Sequence, residues 1–121
     1  MKLVDHDMNG WTMKRLLQEV RKFQPKYILL GHSGSTASHN VVVRTVREIR
    51  GSFPDVRIIY GGVYPSYAYQ SILQNVSEID VIVRGEGEKT IVELLLAWEK
   101  DTSLETVAGI VWRRGAEIVV N

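Results

Sequence analysis

The chain has 121 residues, 45% of them hydrophobic and 24% charged, with a formal net charge of +1. Those values suit one globular domain with a core of its own, and they give no electrostatic footprint for nucleic acid or a membrane surface. The absence of cysteine excludes disulfides, thiolate metal sites and cysteine-held iron–sulfur clusters within these residues, while no apolar run approaches the ~18 residues of a membrane span and no signal peptide is visible, so a cytoplasmic location is expected.

Strand and helix patterns alternate along the chain. Lys2-Leu3-Val4-Asp5 reads as a short strand. Met13, Leu16, Leu17, Val20 and Phe23 then recur at three- and four-residue spacing, which predicts an amphipathic helix ended by Pro25. Tyr27 to Leu30 form an all-apolar strand running into the polar loop Gly31 to Ser38. Ser38 fits the N-cap of a second helix with Val42, Val46 and Ile49 inside and Gly51 just past its end. Val56 to Tyr60 make the next strand. Pro65 suits the first turn of a third helix, whose inner face is Ala68, Ile72, Leu73 and Val76. Ile79 to Val83 are a strand again, followed by a helix from Lys89 to Lys100 with Ile91, Leu94, Leu95 and Trp98 facing the core. Val107 to Trp112 and Glu117 to Val120 flank Arg114-Gly115 as a β-hairpin.

Continuously apolar strands, each followed by a helix, predict an α/β domain over residues 1–121. Its core is a Rossmann-like (flavodoxin-like) parallel sheet with helices on both faces, closed by the C-terminal hairpin. Right-handed crossovers bring the carboxyl ends of the strands to one rim, where ligands bind in such folds. Two of its edges stand out. Gly61-Gly62 after one strand lets a large flat ligand approach the backbone, or serves as a plain tight turn. Arg84-Gly85-Glu86-Gly87-Glu88 joins the next strand to its helix.

Glu86 and Glu88 would repel a phosphate. They fit the start of a helix, where the dipole favours carboxylates, and a general acid–base pair is the other reading. Arg84 is expected as their ion-pair partner. The loop Ser33-Gly34-Ser35-Thr36-Ala37-Ser38 offers hydroxyl and amide donors. Tyr60, Tyr64, Tyr67 and Tyr69 either pack the rim or meet a ligand or another domain. His6, His32 and His39 share no metal-ligand spacing; His6 between Asp5 and Asp7 reads as a cation site or a solvated loop, and His32 as a ligand contact or a surface residue. No G-x-S-x-G elbow is present, and Gly85-x-Gly87 lacks the third glycine of a dinucleotide fingerprint.

Taken in order, Leu3-Val4-Asp5, then Tyr27-Ile28-Leu29-Leu30-Gly31-x-Ser33, Ile58-Ile59-Tyr60-Gly61-Gly62 and Asp80-x-Ile82-Val83-Arg84-Gly85-Glu86-Gly87-Glu88 resemble the N-terminal cobalamin-binding domain of cobalamin-dependent radical SAM enzymes. Gly61-Gly62-Val63-Tyr64-Pro65, Ile79 to Glu88 and the tail from Gly109-Ile110-Val111-Trp112 through Val120 look most like the anaerobic magnesium-protoporphyrin IX monomethyl ester oxidative cyclase group, which builds the fifth ring of bacteriochlorophyll precursors. The resemblance implies cobalamin as ligand, with the corrin over the carboxyl rim and the nucleotide tail between sheet and helices. It places Ser33, Ser35 and Thr36 in the donor loop that meets the tail, and Gly61 and Gly62 where the backbone makes room for it. Tyr64, Pro65, Arg84, Gly85, Glu86, Gly87 and Glu88 fall near the corrin or a partner domain. S-adenosylmethionine and the [4Fe-4S] cluster would belong to a downstream radical SAM domain outside this chain, so these residues alone are expected not to catalyse, and to bind cobalamin only weakly. A valine at Gly62 is expected to fill the space of the tail without harming the core.

Members of that family usually begin with a further strand and helix, and these are expected to be missing here. A 2-1-3-4-5 strand order would then leave a slot between Lys2 to Asp5 and Tyr27 to Leu30, filled either by the first segment moving in or by a second copy of the chain, giving a homodimer. Asp5-His6-Asp7-Met8-Asn9-Gly10 resembles the cobalt-ligating D-x-H-x-x-G motif only superficially, with Asp7 where histidine would stand, so no histidine ligand to cobalt is expected. A cobalamin-dependent methyltransferase parent stays open, as do a flavodoxin-like signalling module without cobalamin and a small flavin-binding domain.

Overall fold

The β-branched and aromatic runs form strands because such side chains suit a pleated, buried surface. The computed structural model describes residues 3–6, 13–32, 36–85 and 87–121. Strand β1 (Leu3–His6) is followed by α1 (Met13–Phe23), β2 (Tyr27–His32), α2 (Thr36–Ser52), β3 (Arg57–Gly62) and α3 (Val63–Asn75). Then come β4 (Val81–Val83), α4 (Glu88–Glu99), a 3-10 turn (Leu104–Thr106), β5 (Ile110–Arg114) and β6 (Glu117–Val120). They make one six-stranded sheet in the order β1-β2-β3-β4-β5-β6. The first four strands run parallel, and β5 and β6 are antiparallel. The expected Rossmann-like sheet and C-terminal hairpin are both present. Among the described residues no helix is long and apolar enough to cross a membrane.

Sequential order decides where the helices lie. Right-handed crossovers between neighbours taken in one direction put every connecting helix on the same face. Ile28, Leu30, Ile58, Tyr60 and Ile82 accordingly pack against Val20 of α1, Val42, Val46 and Ile49 of α2, and Ile72 and Leu73 of α3. The alternate residues, Tyr27, Ile59, Val81 and Val83, face Leu94 and Leu95 of α4 and Ile110 of β5. One face thus carries three helices and the other carries one.

Several boundaries differ from the sequence-based expectation. The slot beside β2 is closed, because Leu3 pairs with Tyr27 and His6 with Leu30; of the two expected ways to fill it, the first is the one observed. Helix α2 starts at Thr36, so Ser38 lies in its first turn and is not the N-cap. Gly51 is inside the last turn of α2, which runs on to Ser52 and closes with the Phe53 N–H on the Ile49 carbonyl, 2.7 Å. Phe23, the last residue of α1, is 43% exposed. Ala68 leaves helical geometry at φ −97°, ψ 15°, marking a kink in α3. Val107 precedes the hairpin strand and follows the 3-10 turn.

The amino edge of the sheet is tied by charge and aromatic contacts. Asp80 Oδ2 accepts from Arg50 Nη2 at 2.8 Å and from the Ile58 N–H at 2.7 Å. Arg50 also donates to the carbonyls of Pro54, Val56 and Glu78. Tyr27 stacks on Trp98 with centroids 5.4 Å apart, and its hydroxyl donates to Glu99 at 2.9 Å. A shallow groove of about 520 Å³ opens at this edge between Gln24, Lys26, Phe53, Pro54 and Arg57. It lies at the opposite end of the strands from the carboxyl rim.

Candidate binding site at the carboxyl rim

Strands β2 and β3 end in step: Gly31 pairs with Gly61 and His32 with Gly62. Side chains alternate across a strand, so Gly31 and Gly61 lie on the same face as Leu29 and Ile59, the face that α4 covers only in part. Among the described residues, a Cβ on Gly31 would meet nothing within 4 Å. One on Gly61 would make only ordinary contacts with Val83, at 3.8 and 3.9 Å. The result is a strip of bare backbone two strands wide. Glycine weakens a strand interior and often marks the close approach of a ligand.

The turn after β3 is tight. Gly62 has φ 119° and ψ −172°, a region essentially reserved for glycine. The expectation that valine at Gly62 would spare the fold is therefore corrected: a side chain there strains the turn itself. Pro65 is buried in the first turn of α3. Ser66 follows, its hydroxyl donating to the Gly62 carbonyl at 2.7 Å and accepting the Gly85 N–H at 3.0 Å. Gly85, at φ +68°, opens the turn after β4, and the Arg84 N–H donates to the Gly109 carbonyl at 2.8 Å.

Among the described residues the Arg84 guanidinium lies over the Tyr69 ring, 5.1 Å from its centroid, and not against Glu88. Glu88 opens α4 as its first residue, where the dipole favours a carboxylate, and Gly87, which has no side chain to offer, is the N-cap. Gly87 allows close packing, since a Cβ there would come within 2.7 Å of Val83 Cγ1. Ser33, Ser35 and Glu86 lie outside the described residues. So do Asp7 to Gly10 of the superficial cobalt motif. Thr36 begins α2, which brings the end of the donor loop to the rim beside β2.

The tyrosines divide by environment. Tyr60 is fully buried, with its hydroxyl 3.0 Å from His39 Nδ1. The His39 ring also lies parallel to Tyr60 and tilted over Tyr64, with centroids 5.8 and 4.8 Å away. Burial, with a smaller contribution from Tyr64, holds the Tyr60 phenol well above its ordinary pKa. Tyr64 and Tyr69 pack partly against the core, and Tyr67 is 85% exposed.

A glycine strip flanked by the starts of two helices suits a flat ligand, and the ligand class follows from kinship. The B12 binding domain family model matches residues 1–95. The chain belongs to the B12-binding domain family. Cobalamin is its cofactor, and the bare strip at Gly31 and Gly61, which Cβ atoms would fill, fits so bulky a group. The chain is 39% identical over 117 residues to the anaerobic magnesium-protoporphyrin IX monomethyl ester cyclase of Synechocystis, covering 97% of this chain and 23% of that protein. It is 32% identical over 109 residues to the cyclase of Cereibacter sphaeroides, covering 88% of this chain and 18% of that one. The cobalamin-dependent S-adenosylmethionine radical enzyme OxsB, solved with aqua-cobalamin and S-adenosylmethionine bound, superposes with a TM-score of 0.79 at 23% identity, over 93% of this chain and 16% of that one. The chain thus spans less than a quarter of the length of these cyclases.

Reading the residues alone left Gly31, Ser66 and the Tyr60–His39 contact out of the site. Gly31 carried a signal, since it stands at the same step past an apolar strand as Gly61. Ser66 carried none, because its partner Gly85 is 19 residues away.

Proposed function

We propose that this B12-binding domain holds cobalamin across the carboxyl rim, as one domain of a larger radical SAM enzyme of the magnesium-protoporphyrin IX monomethyl ester cyclase type. The carrying observation is the paired Gly31–Gly61 strip. In this reading Gly31, Gly61 and Gly62 form the floor beneath the ligand, and Ser33, Ser35 and Thr36 supply donors to its nucleotide tail. Tyr64, Pro65, Arg84 and the segment Gly85 to Glu88 border the corrin and the downstream domain. Cobalamin supplies cobalt–carbon and cobalt redox chemistry when bound. The residues of this chain bind and orient the group and shield it from water. S-adenosylmethionine and the [4Fe-4S] cluster act from the downstream domain.

The cyclase reading is supported by 39% and 32% identity over most of the chain. An uncharacterised methyltransferase of Pyrococcus horikoshii, 22% identical over 118 residues, supports a methyltransferase parent less strongly. The test of binding is Gly31→Val. Valine suits a strand, and among the described residues nothing stands within 4 Å of its Cβ, so the variant should fold as well as the wild type. Its uptake of hydroxocobalamin, read from the visible spectrum after gel filtration, should fall at least tenfold. Equal uptake by both proteins removes the glycine strip from the site. The cyclase assignment is tested by whether full-length enzyme, reconstituted with cluster and cobalamin, consumes magnesium-protoporphyrin IX monomethyl ester.

A further inference from the structure

We infer that Ser66 is a positioning residue for cobalamin, a brace that sets the two rim turns at one fixed separation. The inference rests on the reading of this rim as the cobalamin site. The turn after β3 and the turn after β4 are separate pieces of chain, and each contains a glycine at positive φ, Gly62 at 119° and Gly85 at 68°. Glycine gives such turns their shape and also leaves them many alternative shapes. The Ser66 hydroxyl spends its proton on the Gly62 carbonyl, 2.7 Å away, and its lone pair on the Gly85 N–H, 3.0 Å away. One oxygen therefore joins both glycines.

The back-bond to the residue four positions earlier is common for serine in a helix; the bond to Gly85, 19 residues on, is not local. It fixes where the β4 turn stands relative to the floor at Gly61 and Gly62. Gly85 is exposed, so water replaces the lost partner when the hydroxyl is removed, and the fold loses little. What is lost is preorganisation, which a ligand spanning both turns must then supply from its own binding energy.

Two isosteric variants separate these effects. Ser66→Thr keeps the hydroxyl, and threonine in a helix can place it on the carbonyl four residues back. Ser66→Val keeps the shape of threonine without the hydroxyl. Hydroxocobalamin titration should give near wild-type affinity for Ser66→Thr and about five- to tenfold weaker affinity for Ser66→Val and Ser66→Ala, in line with one net hydrogen bond. Thermal midpoints of the ligand-free proteins should agree within a few degrees, and the Gly85 amide should exchange faster in the two variants that lack the hydroxyl. Unchanged affinity in Ser66→Val, with wild-type binding intact, overturns the brace alone. Loss of folding in both hydroxyl-free variants also overturns it, by assigning Ser66 to the fold. A wild-type protein that takes up no cobalamin overturns the reading of the rim and this inference with it.

Discussion

Tyr60 presents its hydroxyl to His39 from a fully buried position, and that burial has a cost at high pH. Its phenol is raised above the ordinary value of 10.0, first by desolvation and then by Tyr64. The unfolded chain releases this proton from about pH 10 while the folded chain keeps it, so the contribution is fully present below pH 10 and is lost as pH rises above it. Urea denaturation at pH 8 and pH 11 should show the wild type losing more stability at the higher pH than Tyr60→Phe. Equal losses would mean that Tyr60 does not set the alkaline limit. At this scale the sequence was informative where a residue type is rare in its setting, as with Gly61 and Gly62. It was silent where the role depends on a neighbour far along the chain. Tyr60 read as one of four rim tyrosines, and nothing in the residue string separates it from Tyr67, the most exposed of them.

Elements show the same division. The inner faces of α2 and α4 were legible, because Val42, Val46 and Ile49 and then Leu94 and Leu95 keep helical spacing and are buried as expected. What closes α3 was not. Arg113, from β5, donates to the carbonyls of Leu73, Val76 and Ile79 at 2.6 to 3.2 Å, acceptors in the last turn of the helix and just beyond its end. Desolvation lowers the guanidinium pKa, offset in part by Asp80 and Glu78, and the group stays charged. Arg113→Met should cost ~1.5–3 kcal/mol, the range for hydrogen bonds to a charged donor, measured by urea denaturation at pH 7. Arg113→Lys should recover little, since an ammonium cannot spread donors over three carbonyls as a fork does. Full recovery by lysine would reduce the role to charge alone. The partners lie 34 to 40 residues from Arg113, beyond the reach of any local pattern.

Across the whole molecule the two ends of the sheet do different work. Arg50, Asp80, Tyr27 and Trp98 hold the amino edge, and glycines open the carboxyl edge. Asp80→Asn should therefore destabilise the fold by ~1–3 kcal/mol and leave cobalamin affinity within about twofold when measured well below the melting temperature. Gly31→Val should do the reverse. A large affinity loss in Asp80→Asn would show that the edges are coupled. Fold class was legible from strand–helix alternation, whereas strand order was not: the expected open slot assumed a central first strand, and register between β1 and β2 is decided by pairing that periodicity does not encode.

Strand neighbours in space are also neighbours along the chain, from β1 through to β6. No strand has to wait for a later one to be threaded between it and its partner. Each strand–helix unit can dock onto the sheet already made, so closure entropy is spent in short instalments, and contact order stays low for a parallel sheet. On the ribosome, where the N-terminal units emerge first, assembly can follow synthesis. The antiparallel hairpin then completes the sheet once β4 is in place, and Arg113 arrives on it as the last fastening of a helix made some forty residues earlier.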